Sequence, residues 1–133
     1  MTKPMILIAD DHRDSADVLG LVMEMHFSQS AVTITYGGPE ALNRASSQRP
    51  DIALLDLEMP EIDGEELARA LRTMFPDQAP LLVALSGNPD RLDQARGSGI
   101  FDRVMSKPID IDALIRMVGK RLATVELGQS PAP

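Results

Sequence analysis

Three short apolar runs constrain this chain more than any other feature: Met5-Ile6-Leu7-Ile8-Ala9, Ile52-Ala53-Leu54-Leu55 and Leu81-Leu82-Val83-Ala84-Leu85. None alternates with polar residues, so each predicts a strand covered on both faces, as in a parallel sheet lying between helices. Two of them stop abruptly at carboxylates: Asp10 and Asp11 follow the first, Asp56 the second. Two anions about 5 Å apart repel by roughly 3 kcal/mol at an effective dielectric of about 20, so a fold that gathers three of them favours a cation among them. Oxygen-only ligands point to magnesium or another hard ion.

Between the runs the period changes. From about Asp14 to Phe27, Leu19, Val22, Met23 and His26 recur at helical spacing, with Val18, Leu21 and Met25 widening the stripe; Gly20 lowers the propensity in the middle. Ala31 to Tyr36 is rich in β-branched residues and reads as a strand closed by Gly37-Gly38. Pro39 suits the first turn of a short helix carrying Ala41, Leu42 and Ala45, which Arg49-Pro50 ends. Asp63-Gly64 reads as cap and turn before a helix from about Glu65 to Met74, whose buried stripe is Leu67, Leu71 and Met74, with Phe75 just beyond. From Asn88 to Arg96 only Leu92 and Ala95 offer apolar contacts, so this helix is expected to be the most loosely held, ending at Gly97-Ser98-Gly99. A short strand over Arg103 to Met105 runs into Lys107-Pro108, a candidate cis bond. The last helix, about Ile111 to Ala123, has the cleanest period: Ile111, Leu114, Ile115, Val118 and Leu122.

Composition narrows the function. With 133 residues the chain is one domain, expected over 1–125 with a flexible tail over 126–133. A formal charge of −7 without any run of Lys or Arg argues against nucleic acid or an anionic membrane as partner. The absence of cysteine excludes disulfides, thiolate metal sites and cysteine nucleophiles. No segment is long enough to span a membrane or serve as a signal peptide, so the expected location is the cytoplasm. The eight methionines are read as core filler.

Five strands alternating with five helices predict an α/β sandwich around a parallel sheet, and ligands of such sheets sit beyond the carboxyl ends of the strands. Asp10, Asp11, Asp56, Ser86 and Lys107 all fall just past such ends. A single aspartate there is ordinarily a turn former, a lone lysine a surface residue and a lone serine the end of a strand. Three carboxylates meeting a lysine and a hydroxyl at one rim are a different matter.

The set Asp10-Asp11, Asp56-Leu57-Glu58-Met59-Pro60-Glu61-Ile62-Asp63-Gly64, Leu85-Ser86-Gly87 and Lys107-Pro108 resembles the receiver domain of two-component response regulators, over about Met5 to Leu122. Thirty positions separate Asp56 from Ser86 and twenty-one separate Ser86 from Lys107, which fits the same pattern. The wording of Asp11-His12-Arg13-Asp14 and Gly38-Pro39-Glu40-Ala41-Leu42 looks most like receivers of hybrid sensor kinases. The resemblance implies a flavodoxin-like, three-layer sandwich with strand order 2-1-3-4-5. It implies a signalling domain, not a turnover enzyme, that accepts phosphate from a histidine kinase or phosphotransfer protein and slowly hydrolyses it. Asp56 would be the nucleophile. Asp10, Asp11, an Asp56 oxygen and the Glu58 carbonyl would hold Mg2+, Lys107 would offset charge on the transferring oxygens, and Ser86 would hydrogen-bond the phosphoryl group.

Val104 departs from the pattern, because many receivers carry Tyr or Phe three residues before the lysine. Transmission is therefore expected through Ser86 and the segment Asn88 to Arg96. The side chains of Glu58 and Asn88 are left unassigned, His12 is expected to be exposed beside the site, and His26 to lie at the edge of the core. Two alternatives stand beside the switch: a small magnesium-dependent phosphatase of the haloacid-dehalogenase type with an aspartate nucleophile, and a receiver-like module that docks partners without phosphorylation. A glycine-poor first turn, Asp-Asp-His-Arg, disfavours dinucleotide binding.

Overall fold

A computed structural model describes residues 3–126 of the chain. Strands and helices alternate throughout: β1 (Met5–Ala9), α1 (Arg13–His26), β2 (Ala31–Thr35), α2 (Gly38–Ser47), β3 (Ile52–Asp56), α3 (Gly64–Met74), β4 (Leu81–Ser86), α4 (Pro89–Ser98), β5 (Arg103–Ser106) and α5 (Ile111–Glu126). The strands form one parallel sheet in the order β2-β1-β3-β4-β5, the flavodoxin-like arrangement expected from the sequence.

The apolar runs behave as strands buried on both faces. Met5, Leu7 and Ala9 join Ala53, Leu55 and Leu82 in a core with α2 and α3, while Ile6 and Ile8 join Ile52, Leu54, Val83 and Leu85 in a core with α1 and α5. Successive side chains point to opposite faces of a strand, which is why a continuous run rather than an alternating one is needed here. Each fully buried Leu or Ile contributes roughly 1.5–3 kcal/mol, so the central strands dominate the stability of the sheet. A third, smaller cluster of Leu57, Ala84, Leu92 and Ala95 sits under α4, with Val104 packed against it. Leu92 and Ala95 are the only buried residues of α4, as anticipated.

Several helix boundaries are fixed at the edge of the sheet where the strands end. His12 caps α1, and Asp63 and Glu66 form a reciprocal capping box at the start of α3, with Glu66 N–H to Asp63 Oδ1 at 2.9 Å and Asp63 N–H to Glu66 Oε1 at 3.2 Å. Asn88 Oδ1 accepts the Asp90 N–H at 3.0 Å and caps α4. These caps stiffen the loops between strand ends and helices.

The structure corrects parts of the sequence reading. Only Ala16, Leu19, Gly20 and Met23 of α1 are buried. Val18, Leu21 and Met25 are 60%, 56% and 73% exposed and form a second apolar strip on the outer face, and His26 is exposed rather than at the core edge. Seven apolar positions in fourteen residues, with His26 beside them, cover well over half of the circumference, so periodicity alone cannot choose the buried side. The buried side carries Gly20, which lies against the Ile34 side chain of β2, where a Cβ would require that side chain to shift. Met25 and Met74 are exposed, not core filler, and Ile111 begins α5 at 38% exposure. Strand β2 stops at Thr35, one residue short of Tyr36. Helix α4 includes Gly97 and Ser98, ending at Gly99 in the left-handed region with φ 70°. Helix α5 continues past Ala123 to Glu126, the first residue of the expected tail; 127–133 lie outside the described residues. The Lys107-Pro108 bond is cis, as anticipated.

At the opposite edge of the sheet, two aspartates that sequence reasoning passed over tie strands together. Asp51 Oδ2 accepts the buried Met5 N–H at 2.8 Å, its Oδ1 pairs with Arg49 at 3.1 Å, and its backbone bridges Met5 O and Leu81 N–H. Asp102 Oδ2 accepts Leu82 N–H at 2.8 Å, and its own N–H donates to Leu82 O. Replacing Asp51 by Ala leaves the Met5 N–H without its partner, and the expected cost is about 1–3 kcal/mol. Urea denaturation of Asp51→Ala checks this, and unchanged stability would contradict it.

Candidate functional site

The parallel register builds the site. Ala9 lies beside Leu55 and Asp56 beside Leu85, so Asp10 and Asp56 emerge next to each other and Ser86 emerges on the far side of Asp56. Ser86 pairs with Ser106, which delivers Lys107 to the same rim, and the Lys107 N–H donates to Ser86 O at 2.9 Å. The structure thus brings together Asp10, Asp11, Asp56, Ser86 and Lys107.

Asp10 is 2% exposed and doubly engaged: Oδ1 accepts the His12 N–H at 2.9 Å and Oδ2 accepts Lys107 Nζ at 3.0 Å. Asp56 is 6% exposed; its Oδ1 accepts the Glu58 N–H at 3.1 Å and its Oδ2 lies 3.8 Å from Lys107 Nζ. Asp11 is exposed, yet carboxylate oxygens of Asp10, Asp11 and Asp56 all lie within 4.8 Å of one another. Among the described residues Lys107 is the one ammonium paired with this cluster, through Asp10 and Asp56. Burial pushes the Asp56 carboxyl up from 3.8 to about 7, and the neighbouring Asp10 pushes the same way; the Glu58 N–H and Lys107 pull it back only in part.

The loop after Asp56 is held close to the strand. A Cβ at Gly64 would lie 2.5 Å from the Asp56 carbonyl oxygen and 2.9 Å from Leu57 Cα, so only glycine lets the first turn of α3 approach this closely. Glu61, in the same loop, takes a left-handed φ of 68°. Arg91 from α4 crosses to this loop, donating to Leu57 O at 2.8 Å and pairing with Asp63 at 3.5 Å. No sequence signal marked Arg91, because its partners are 34 and 28 positions away and one of them is a backbone carbonyl.

The residues left unassigned by sequence also have places. Glu58 Oε1 accepts from Ser86 Oγ at 3.1 Å, and Asn88 is the α4 cap and donates its N–H to Ser86 Oγ at 3.0 Å. His12 caps α1 beside the rim, exposed as expected, with Nδ1 turned to Ser15. A groove of about 420 Å³ opens next to Asp10 and Lys107, walled by Val18, Pro108, Ile109 and Ile111.

The chemistry of the donors fits a hard divalent cation: three carboxylates, oxygen only, with one of them resisting ionisation while no added charge offsets the others. The family model of the response regulator receiver domain matches residues 6–119. The chain belongs to that family. It is 33% identical to a response regulator receiver protein of Anaeromyxobacter sp. over 82% of this chain and 44% of the relative. It is also 33% identical to the transcriptional regulatory protein PrrA of Mycobacterium tuberculosis, over 89% of this chain and 49% of the relative. This receiver domain therefore spans about half the length of those relatives. Among solved structures, the receiver domain of Francisella response regulator 1452 superposes with a TM-score of 0.73 at 26% identity, covering 92% of this chain and 98% of that one. A sensor protein of Polaromonas sp. does so with a TM-score of 0.77 at 26% identity, covering 91% and 97%.

Receiver domains are the phosphoacceptor signalling modules of two-component systems. No helix among the described residues is long and apolar enough to cross a membrane.

The raised Asp56 pKa carries a stability consequence. The folded state holds this proton up to about pH 7 and the unfolded state only up to 3.8, so its stabilising contribution is present below pH 3.8 and is lost as pH rises through 7. Asp56→Asn is expected to stabilise the metal-free protein by about 1–3 kcal/mol at pH 7.5 and to change little near pH 4. Urea melts with chelator at both pH values measure it; equal destabilisation at both would contradict it.

Proposed function

We propose that this receiver domain takes a phosphoryl group onto Asp56 from a phosphohistidine of a partner kinase or phosphotransfer protein, and later loses it to water. The observation that carries this reading is the placement of Lys107 Nζ 3.0 Å from Asp10 and 3.8 Å from Asp56, at a rim that also holds Asp11 and Ser86. Asp10, Asp11, Asp56 and the Glu58 carbonyl would hold Mg2+, which when bound supplies positive charge against the phosphoryl oxygens.

The chain's own residues do the rest. An Asp56 carboxylate oxygen forms a bond to phosphorus as the P–N bond to the donor imidazole breaks; the donor ring, protonated on its other nitrogen, keeps the bonding electron pair and leaves as a neutral histidine, with the phosphoryl group on Asp56 as an aspartyl phosphate. Asp56 must be ionised to do this, and Lys107 favours that form. Lys107 also faces the oxygens on which negative charge gathers. Ser86, at the end of β4, would donate a hydrogen bond to one of them. Hydrolysis adds water to phosphorus and returns the carboxylate and inorganic phosphate.

A protein donor suits the surroundings of the rim. The exposed strip Val18, Leu21 and Met25 runs along α1, and Val18 also walls the groove that reaches Asp10 and Lys107. Apolar surface beside a reactive carboxylate supports docking of another protein more than capture of a small ester. The expected site of action is the cytoplasm, where such donors and magnesium are found.

Acetyl phosphate with Mg2+ tests the reading. Mass spectrometry is expected to find one phosphoryl adduct on the wild type and none on Asp56→Asn, and Lys107→Ala is expected to slow labelling roughly 10- to 100-fold. Labelling of Asp56→Asn at the wild-type rate would contradict the assignment, and no labelling of any form would favour the docking-only module.

A further inference from the structure

Ser86 is 1% exposed, and a hydroxyl has a single proton to give. Here that proton goes to Glu58 Oε1 at 3.1 Å, while Ser86 Oγ accepts the Asn88 N–H at 3.0 Å. The hydroxyl is thus fully committed, and it cannot donate to a phosphoryl oxygen on Asp56 until Glu58 lets go. We infer that Glu58 is a positioning residue that holds the Ser86 hydroxyl in the resting arrangement, and that a phosphoryl group on Asp56 must displace it. The inference rests on the proposed phosphoacceptor role of Asp56 and assigns the Glu58 side chain a part separate from its backbone carbonyl.

The two ends of this hydrogen bond differ in what they lose when it breaks. Glu58 is exposed and exchanges Ser86 for water at little cost. Ser86 is buried, and Glu58 Oε1 is the one acceptor to which its hydroxyl donates among the described residues, so without Glu58 that proton loses its partner. Removing Glu58 therefore raises the energy of the resting state alone. The phosphoryl-bearing state, in which Ser86 has a new acceptor, is spared. Because Ser86 also holds the N–H of the α4 cap, the exchange is felt at Asn88.

The test uses the whole chain with Mg2+ and beryllofluoride, a tetrahedral mimic that bonds a carboxylate oxygen as a phosphoryl group does. Loss of one hydrogen bond of this kind is expected to make Glu58→Ala bind the mimic about 3- to 10-fold tighter than wild type, with Glu58→Gln, which keeps an oxygen acceptor, closer to wild type. In the Ser86→Ala background Glu58→Ala is expected to change nothing. In the unloaded protein the Asn88 amide resonance is expected to shift in Glu58→Ala, and to stay in place when the same change is made on Ser86→Ala. An equal gain in both backgrounds, a gain in Glu58→Gln as large as in Glu58→Ala, or no gain at all would overturn the inference. Failure of the wild type to bind beryllofluoride would overturn the phosphoacceptor reading along with it, so the two failures are told apart.

Discussion

Two carboxylates, Asp10 and Asp56, are buried side by side with one ammonium between them, and the architecture around them exists to keep that arrangement from relaxing. Left to itself the pair would separate or keep a proton, and the upward shift of the Asp56 pKa to about 7 is the proton-keeping tendency made visible. Parallel pairing of β1 with β3 prevents separation, because the strands that carry the two groups are hydrogen-bonded along their length and packed on both faces. The glycine at position 64 and the capping box at Asp63 press the following loop against the same strand. Repulsion is held in place by packing, and any group that brings positive charge to the rim relieves it. This is why a cation is the natural ligand of such a pocket.

The fold was largely legible because its central strands need continuous apolar runs and its loops need residues with defined backbone tasks. Met5–Ala9, Ile52–Leu55 and Leu81–Leu85 could be little else, and Asp63 and Gly99 do the work at helix ends that their chemistry predicts. The site was legible for a related reason. In a parallel sheet every functional side chain is delivered by a strand end, so linear order maps directly onto the rim.

What escaped reading was whatever depends on which side of an element faces inward, or on a partner far away in sequence. The outer strip of α1 looks in sequence like a continuation of the buried one, and only the packing of Ala16, Leu19, Gly20 and Met23 against the sheet tells them apart. Asp51 and Asp102 look like loop acids but receive backbone N–H groups from neighbouring strands. Arg91 reaches a carbonyl next to Asp56, a target that leaves no residue-type signature. The lack of an aromatic at position 104 was visible, and Val104 packs beneath α4 with Leu57, Ala84, Leu92 and Ala95. Helix α4, with two buried residues, is linked by Arg91 to the loop after Asp56 and by Asn88 to Ser86, so a change at the rim reaches it directly.

If a divalent ion is to bind the crowded carboxylates, it competes with a proton for them. Calorimetric titration of Mg2+ at pH 6, repeated in buffers of different ionisation enthalpy, counts the protons released as the ion binds. The expected result is a release of about one proton per ion at pH 6, declining towards none at pH 8.5, as Asp56 passes through a pKa of about 7. Binding without proton release at pH 6, or no binding at millimolar Mg2+, would contradict it.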